Sequence, residues 1–78
     1  MKTLDEFIAL FAEQFDETDV NEFKAETCFR DLEEWSSIIG LSIIAMVDEE
    51  FEVALKADDM KKAITVGDLY EIVKGKLA

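Results

Sequence analysis

Residues 33–51 read EEWSSIIGLSIIAMVDEEF. Two acids and a tryptophan lead into a pair of serines, and the apolar run that follows is broken only by Gly40 and Ser42. Wound as a helix from Ser37 to Phe51, at about a hundred degrees per residue, the run places Ile39, Ile43, Met46 and Val47 on one broad arc. Ile44, Phe51 and the small Gly40 extend it. That arc is the expected core face. The opposite side carries Ser37, Ile38, Leu41, Ser42, Ala45, Asp48 and Glu49. Its apolar members cluster near the serines, and the acids take over one or two turns later. Two readings of Ile38 and Leu41 stay open. Another segment covers them, or they form an apolar docking patch beside an acidic rim. Serine is a preferred N-cap because its hydroxyl accepts a bond from an otherwise orphan backbone N–H. Either Ser36 or Ser37 can supply it, and one serine is enough.

The flanking segments read as further helices. Leu4, Phe7, Ile8, Phe11 and Phe15 share a helical face, and Thr3 with Glu6 forms a T-x-x-E capping box, which predicts a helix over Leu4–Phe15. Residues 16–35 lack a clean period. Val20, Phe23, Cys28, Phe29 and Leu32 are spaced as anchors of a long ordered connection, in which Asp19 and Glu22 cap one helical turn. A short helix is expected over Ala57–Lys62. The last helix starts after Thr65, with Asp68 at its third position. Val66, Leu69, Tyr70, Val73 and Leu77 share its face, and Lys74, Gly75 and Lys76 mark its end. The expected fold is all-α: one domain over residues 1–78, a small four-helix bundle of three longer helices and one short one, with a long loop between the first and second.

Composition narrows the function classes. The chain has 78 residues, half of them hydrophobic, with no proline and three glycines. That suits helices better than a turn-rich sandwich and argues against disorder. The formal net charge is −11. Nucleic acid and anionic membrane surfaces are therefore excluded as expected partners, and basic protein surfaces are favoured. The N-terminus does not read as a signal peptide and no stretch is long enough to span a bilayer, so a cytoplasmic monomer is expected. The one cysteine, Cys28, has no internal disulfide partner and reads as a small buried residue.

Catalytic machinery is hard to assemble from these residues. There is no histidine, which removes a Ser-His-Asp triad and any His-ligated zinc site, and a single cysteine removes a Cys₄ site. The acids DETDVNE at residues 16–22 fail as a calcium loop, because Val20 and Asn21 stand where an oxygen ligand and a glycine are needed. No phosphate-binding glycine motif appears. The chain is not expected to be an enzyme, nor to hold a metal.

One resemblance covers nearly the whole chain. The run FRDLEEWSSIIGLSIIAMVDEEFEVAL, residues 29–55, resembles the centre of acyl carrier proteins. That family has an F-x-x-D-L-like lead, a D-S-L triplet at the head of its second helix and an acidic end in E-E-F. Here the triplet is Ser36-Ser37-Ile38, and the distance from Ser37 to Phe51 fits without a gap. ITVGDLYEIV, residues 64–73, is similar to the family's final helix. The resemblance implies that a phosphopantetheinyl transferase attaches 4′-phosphopantetheine to Ser37. The thiol of that arm would carry acyl groups as thioesters to acyl-processing enzymes with basic docking patches. Ile38, Leu41, Ser42, Asp48, Glu49, Asp58 and Asp59 would meet those partners. Ile43, Met46, Val47, Ile64 and Leu69 would line an acyl cleft.

The chain departs from that pattern at Ser36, where the family usually has aspartate, and at Ile39 and Ser42, where charge is common. These departures suit a dedicated partner set. The alternatives are a carrier for aminoacyl or polyketide units, and an acidic interaction module that is never modified.

Overall fold

A computed structural model describes residues 3–77. The chain folds as four α-helices: α1 (Leu4–Ala12), α2 (Ser37–Phe51), α3 (Ala57–Lys62) and α4 (Val66–Leu77). Two 3₁₀ turns, Val20–Glu22 and Phe29–Asp31, punctuate the connection between α1 and α2. No strand forms among the described residues. The fold is the small all-α bundle expected, 32 × 23 × 20 Å across. α1 packs on α2 and α4, and α3 packs on α4.

Helices α1 and α4 start where local chemistry satisfies their free N–H groups. At α1 the Thr3 hydroxyl accepts from the Glu6 N–H at 3.2 Å, and the Glu6 carboxylate accepts from the Thr3 N–H at 3.4 Å, the reciprocal pair of a capping box. At α4 the Asp68 N–H donates to the Thr65 hydroxyl at 3.0 Å. The Asp68 carboxylate accepts in return from the N–H groups of Thr65 and Ile64, which hold it below its ordinary pKa. The next two N–H groups of α4 find partners in the long connection: Val66 donates to the Thr27 carbonyl at 3.0 Å and Gly67 to the Ala25 carbonyl at 2.8 Å. Cys28 and Thr65 form an antiparallel bridge beside them. The whole start of α4 is thus satisfied, and the loop is stitched to it.

The periodic pattern of α1 outruns its helix. The expected end was Phe15, but the α-helix stops at Ala12. Gln14 and Phe15 donate instead to the Phe11 and Ala12 carbonyls, tighter i→i+3 bonds. Phe15 still reaches the core, because a 3₁₀-like turn delivers it to the same side. In the connection Phe23 and Phe29 anchor as expected. Cys28 and Leu32 are only half-buried, and Val20 is 58% exposed. Asp19 caps the turn Val20–Glu22 as expected, its carboxylate accepting from the Asn21 N–H at 2.9 Å.

The core is aromatic. All six phenylalanines are buried, and Phe11 lies within 5.5–6.2 Å, centroid to centroid, of Phe7, Phe15, Phe23 and Phe29. Such pairs contribute about 0.5–1.5 kcal/mol each beyond their burial. One continuous apolar cluster reaches all four helices, through Phe7, Ile43, Met60 and Leu69 among others. No polar or charged residue is buried among the described residues. No helix among them is long and apolar enough to cross a membrane.

Candidate functional site

The head of α2 separates the two serines. Ser36 lies outside the helix in extended backbone (φ −154°), and its hydroxyl accepts from the Ile39 N–H at 3.3 Å. Ser36 is therefore the cap. Ser37 is the first helical residue, exposed, with a hydroxyl that takes no part in capping. No carboxylate stands in the first turn of α2. Only one of the three N–H groups that open the helix, that of Ile39, is taken up by the cap, which leaves those of Ser37 and Ile38 available to an incoming anion.

Glu34 sets the angle at which α2 begins. Its carboxylate accepts from the N–H groups of Asp16, Glu17 and Thr18, at 2.7–3.0 Å, and from the Thr18 hydroxyl at 2.8 Å. Desolvation pushes its pKa upward, but the Thr18 hydroxyl and the three N–H groups prevail and hold it below the ordinary value. The segment leaving α1 is thereby tied to the residue two places before the cap. Trp35, next in line, packs edge-on against Phe29 at 4.8 Å and lays its indole over Gly40. Nothing in the sequence pattern marks Glu34 among so many acids, and its role emerges only from the loop that wraps it.

Ile38 and Leu41 are 75% and 66% exposed. Neither the long connection nor α3 covers them, so the open question about the outer face of α2 resolves in favour of an exposed apolar pair. Ser42 beside them is half-buried, and Asp48 and Glu49 are exposed two turns on. Asp58 on α3 is exposed too. Asp59 is engaged within the chain: it caps the Lys56 N–H at 3.0 Å and pairs with Lys76 at 3.2 Å. The Lys56 N–H, with help from Lys76 and Lys62, draws its pKa down against desolvation. Its carboxylate is a strut between α3 and α4, unlike that of Asp58.

The five residues expected to line a cleft separate into two groups. Ile43, Val47 and Leu69 are fully buried and Met46 nearly so, all within the packed core. Ile64 is 61% exposed, just before the Thr65 cap. None of the five lines the cavity that does open beside Ser37. That cavity, of about 380 Å³, lies between α2 and α3. Ser37, Gly40, Leu41 and Ile44 form one wall, and Ala57 and Met60 the other. Trp35 closes one side, and Arg30 and Lys61 complete the lining. Arg30 also donates to the Met60 carbonyl, a group near the end of α3 that the short helix leaves without a helical partner. Among the described residues no cluster of three or more Cys, Asp or Glu is arranged to hold a metal.

Comparison with protein-family models, with curated proteins and with solved structures finds no match to this chain.

Proposed function

We propose that the chain is an acyl carrier, modified on Ser37 by 4′-phosphopantetheine and delivering thioester-bound acyl groups to biosynthetic enzymes. The observation that carries this reading is the division of labour at the head of α2: Ser36 caps the helix and leaves the exposed Ser37 hydroxyl uncommitted. A phosphodiester there would meet the N–H groups of Ser37 and Ile38 and the positive end of the helix dipole, with no first-turn carboxylate to repel it. In the transfer, the Ser37 oxygen attacks the phosphorus that bears the pantetheine arm in coenzyme A. The pyrophosphate bond breaks, adenosine 3′,5′-bisphosphate leaves, and the hydroxyl proton passes to the transferase. The arm supplies the thiol. The chain supplies the attachment point and the surface that partners read.

That surface is Ile38 and Leu41, with Ser42 beside them and Asp48, Glu49 and Asp58 as its acidic margin. A partner with an apolar centre and a basic rim is complementary to it. The carboxylates whose pKa values shift, Glu34, Asp59 and Asp68, are all pulled downward by hydrogen bonds. None is poised as a proton donor near neutrality, in keeping with a protein that presents cargo and leaves chemistry to others.

The test is incubation with coenzyme A and a validated broad-specificity phosphopantetheinyl transferase, followed by intact-mass measurement. A phosphopantetheine adduct is expected on the wild type and on Ser36→Ala, and none on Ser37→Ala. Absence of any adduct favours the unmodified interaction module. An adduct that follows Ser36 moves the attachment point by one residue.

A further inference from the structure

Ser37 has little of its own to hold it in place. Ser37 and Ile38 are exposed, Ile39 is half-buried, and the first buried residue of α2 is Gly40. The turn that carries the hydroxyl is therefore fixed largely from its N-terminal side, by residues 34–36. Ser36 acts locally, accepting from the Ile39 N–H. Glu34 and Trp35 instead join the head of α2 to the segment that leaves α1. The joint has an apolar half, in which Trp35 stacks on Phe15 at 6.4 Å between ring centroids. In its polar half the consecutive N–H groups of Asp16, Glu17 and Thr18 converge on the Glu34 carboxylate. Such a run of amides forms a concave seat for an anion. Both carboxylate oxygens are engaged, one by Asp16 and the other by Glu17 and Thr18. The group is thereby fixed in rotation as well as in position. Charge-assisted bonds of this kind are about twice as strong as neutral ones. Glu33, one residue earlier, carries the same charge but is exposed.

We propose that Glu34 is the positioning residue of Ser37: its carboxylate locks the first turn of α2 against residues 16–18 and so holds the hydroxyl for attack. Its effect on attachment of the arm rests on the carrier reading; its hold on the first turn does not. The rest of α2 is anchored by its own buried residues, Gly40, Ile43, Met46, Val47 and Phe51. Loss of the lock therefore frees Ser37 while Leu41, Asp48 and Glu49 stay in place for a partner. The effect falls on the chemical step more than on docking, because a displacement of about 1 Å in a reacting group can cost about a hundredfold in rate. Glu34→Gln keeps an oxygen for Glu17 and Thr18 but sets an NH₂ against the Asp16 N–H, so it keeps part of the lock. Glu34→Ala keeps none.

Two measurements on Glu34→Ala, Glu34→Gln and Glu33→Ala test this, both at a temperature where every variant is folded. In the unmodified protein, hydrogen exchange is followed at Ile39 and Gly40, whose N–H groups bond the Ser36 hydroxyl and carbonyl. Leu69, bonded to the Thr65 carbonyl at the far helix α4, is the reference. Glu34→Ala should speed exchange at Ile39 and Gly40 about tenfold and leave Leu69 unchanged, a local opening. With coenzyme A and the transferase, it should lower kcat about tenfold and shift KM for the chain by less than about twofold. Glu34→Gln should fall between Glu34→Ala and the wild type, and Glu33→Ala should match the wild type in both measurements. The proposal is overturned by unchanged exchange at Ile39 and Gly40, or by an equal rise at Leu69, which marks lost global stability. It is overturned equally by the same losses in Glu33→Ala, which charge alone would produce, or by an unchanged kcat. If the wild type takes no adduct, the carrier reading falls on its own, and exchange at Ile39 and Gly40 still decides whether Glu34 holds Ser37.

Discussion

The Gly67 N–H donates to the Ala25 carbonyl at 2.8 Å, and a Cβ built on Gly67 would stand 3.0 Å from that same oxygen. The start of α4 and the long connection meet backbone to backbone, and a Cβ at Gly67 fits only if the Ala25 carbonyl gives way by a few tenths of an ångström. Gly75, in the same helix, has nothing within 4 Å of its would-be Cβ. Alanine should therefore act in opposite directions at the two sites. Gly75→Ala should stabilise by about 0.5–1 kcal/mol, the ordinary helix-propensity gain. Gly67→Ala should destabilise by about 1 kcal/mol or more, since crowding the carbonyl outweighs the same gain. Urea midpoints at constant m-value measure both, and equal shifts would remove the close-approach argument.

Glu52 ends α2 in the left-handed region, φ 55° and ψ 38°. A side chain there costs roughly 1–2 kcal/mol, a cost that glycine avoids while giving back some chain entropy. Glu52→Gly should stabilise by up to about 1 kcal/mol. A decrease in thermal stability would show that the Glu52 side chain contributes more than its backbone costs.

The two serines should differ in stability as well as in chemistry. Ser36→Ala removes the cap on Ile39 and should cost about 1 kcal/mol. Ser37→Ala removes no bond within the chain and should fall within about 0.5 kcal/mol of wild type. Thermal unfolding of the two unmodified variants makes the comparison.

Glu34 should make stability depend on pH in one direction. Its carboxyl is held below the ordinary value of 4.5, so the folded state binds fewer protons than the unfolded state in acid. The stabilisation is complete above that value and is lost as pH falls through the folded pKa. Asp59 and Asp68 carry the same sign. Glu34→Gln should lower Tm most at neutral pH, and the gap from wild type should narrow below about pH 4. A gap of constant size across the acid range would assign the loss to hydrogen-bond geometry alone.

The acids at the end of α2 sit at the wrong pole of its dipole, and no base occupies its last turn. Replacing Asp48 and Glu49 with lysines should leave the fold intact and raise its stability by about 0.3–1 kcal/mol per site at low salt. On the carrier reading, the same change should slow acyl transfer from partner enzymes, with the difference shrinking as salt rises. Transfer rates indifferent to both charge and salt would remove the electrostatic role.

The bounds of α2, α3 and α4 were legible because each start is local: Ser36 before Ile39, Lys56 before Asp59, Thr65 before Asp68. The end of α1 was not. Phe15 keeps the helical period although a tighter turn delivers it, and no glycine or proline marks the change. Ser36 and Ser37 stood side by side as potential caps, and the extended backbone of Ser36 with its bond from the Ile39 N–H separated them. The exposed pair Ile38 and Leu41 was visible as an alternative and needed the packing to decide it. The cavity was illegible, because Arg30, Trp35, Gly40, Met60 and Lys61 come from three segments whose meeting no periodicity announces. Ile64 was expected in the cleft on the family resemblance alone, and it is 61% exposed just before the Thr65 cap.

The seam where Ala25, Thr27 and Cys28 meet the first turn of α4 bears on how the molecule opens. The amides of Val66 and Gly67 can exchange with solvent only when the middle of the connection lifts away from them. Exchange there therefore reports the free energy of parting the longest irregular segment from the final helix. Hydrogen exchange at those two amides times the release of a loop that, by its lack of regular structure, would be taken for the first part of the chain to come free.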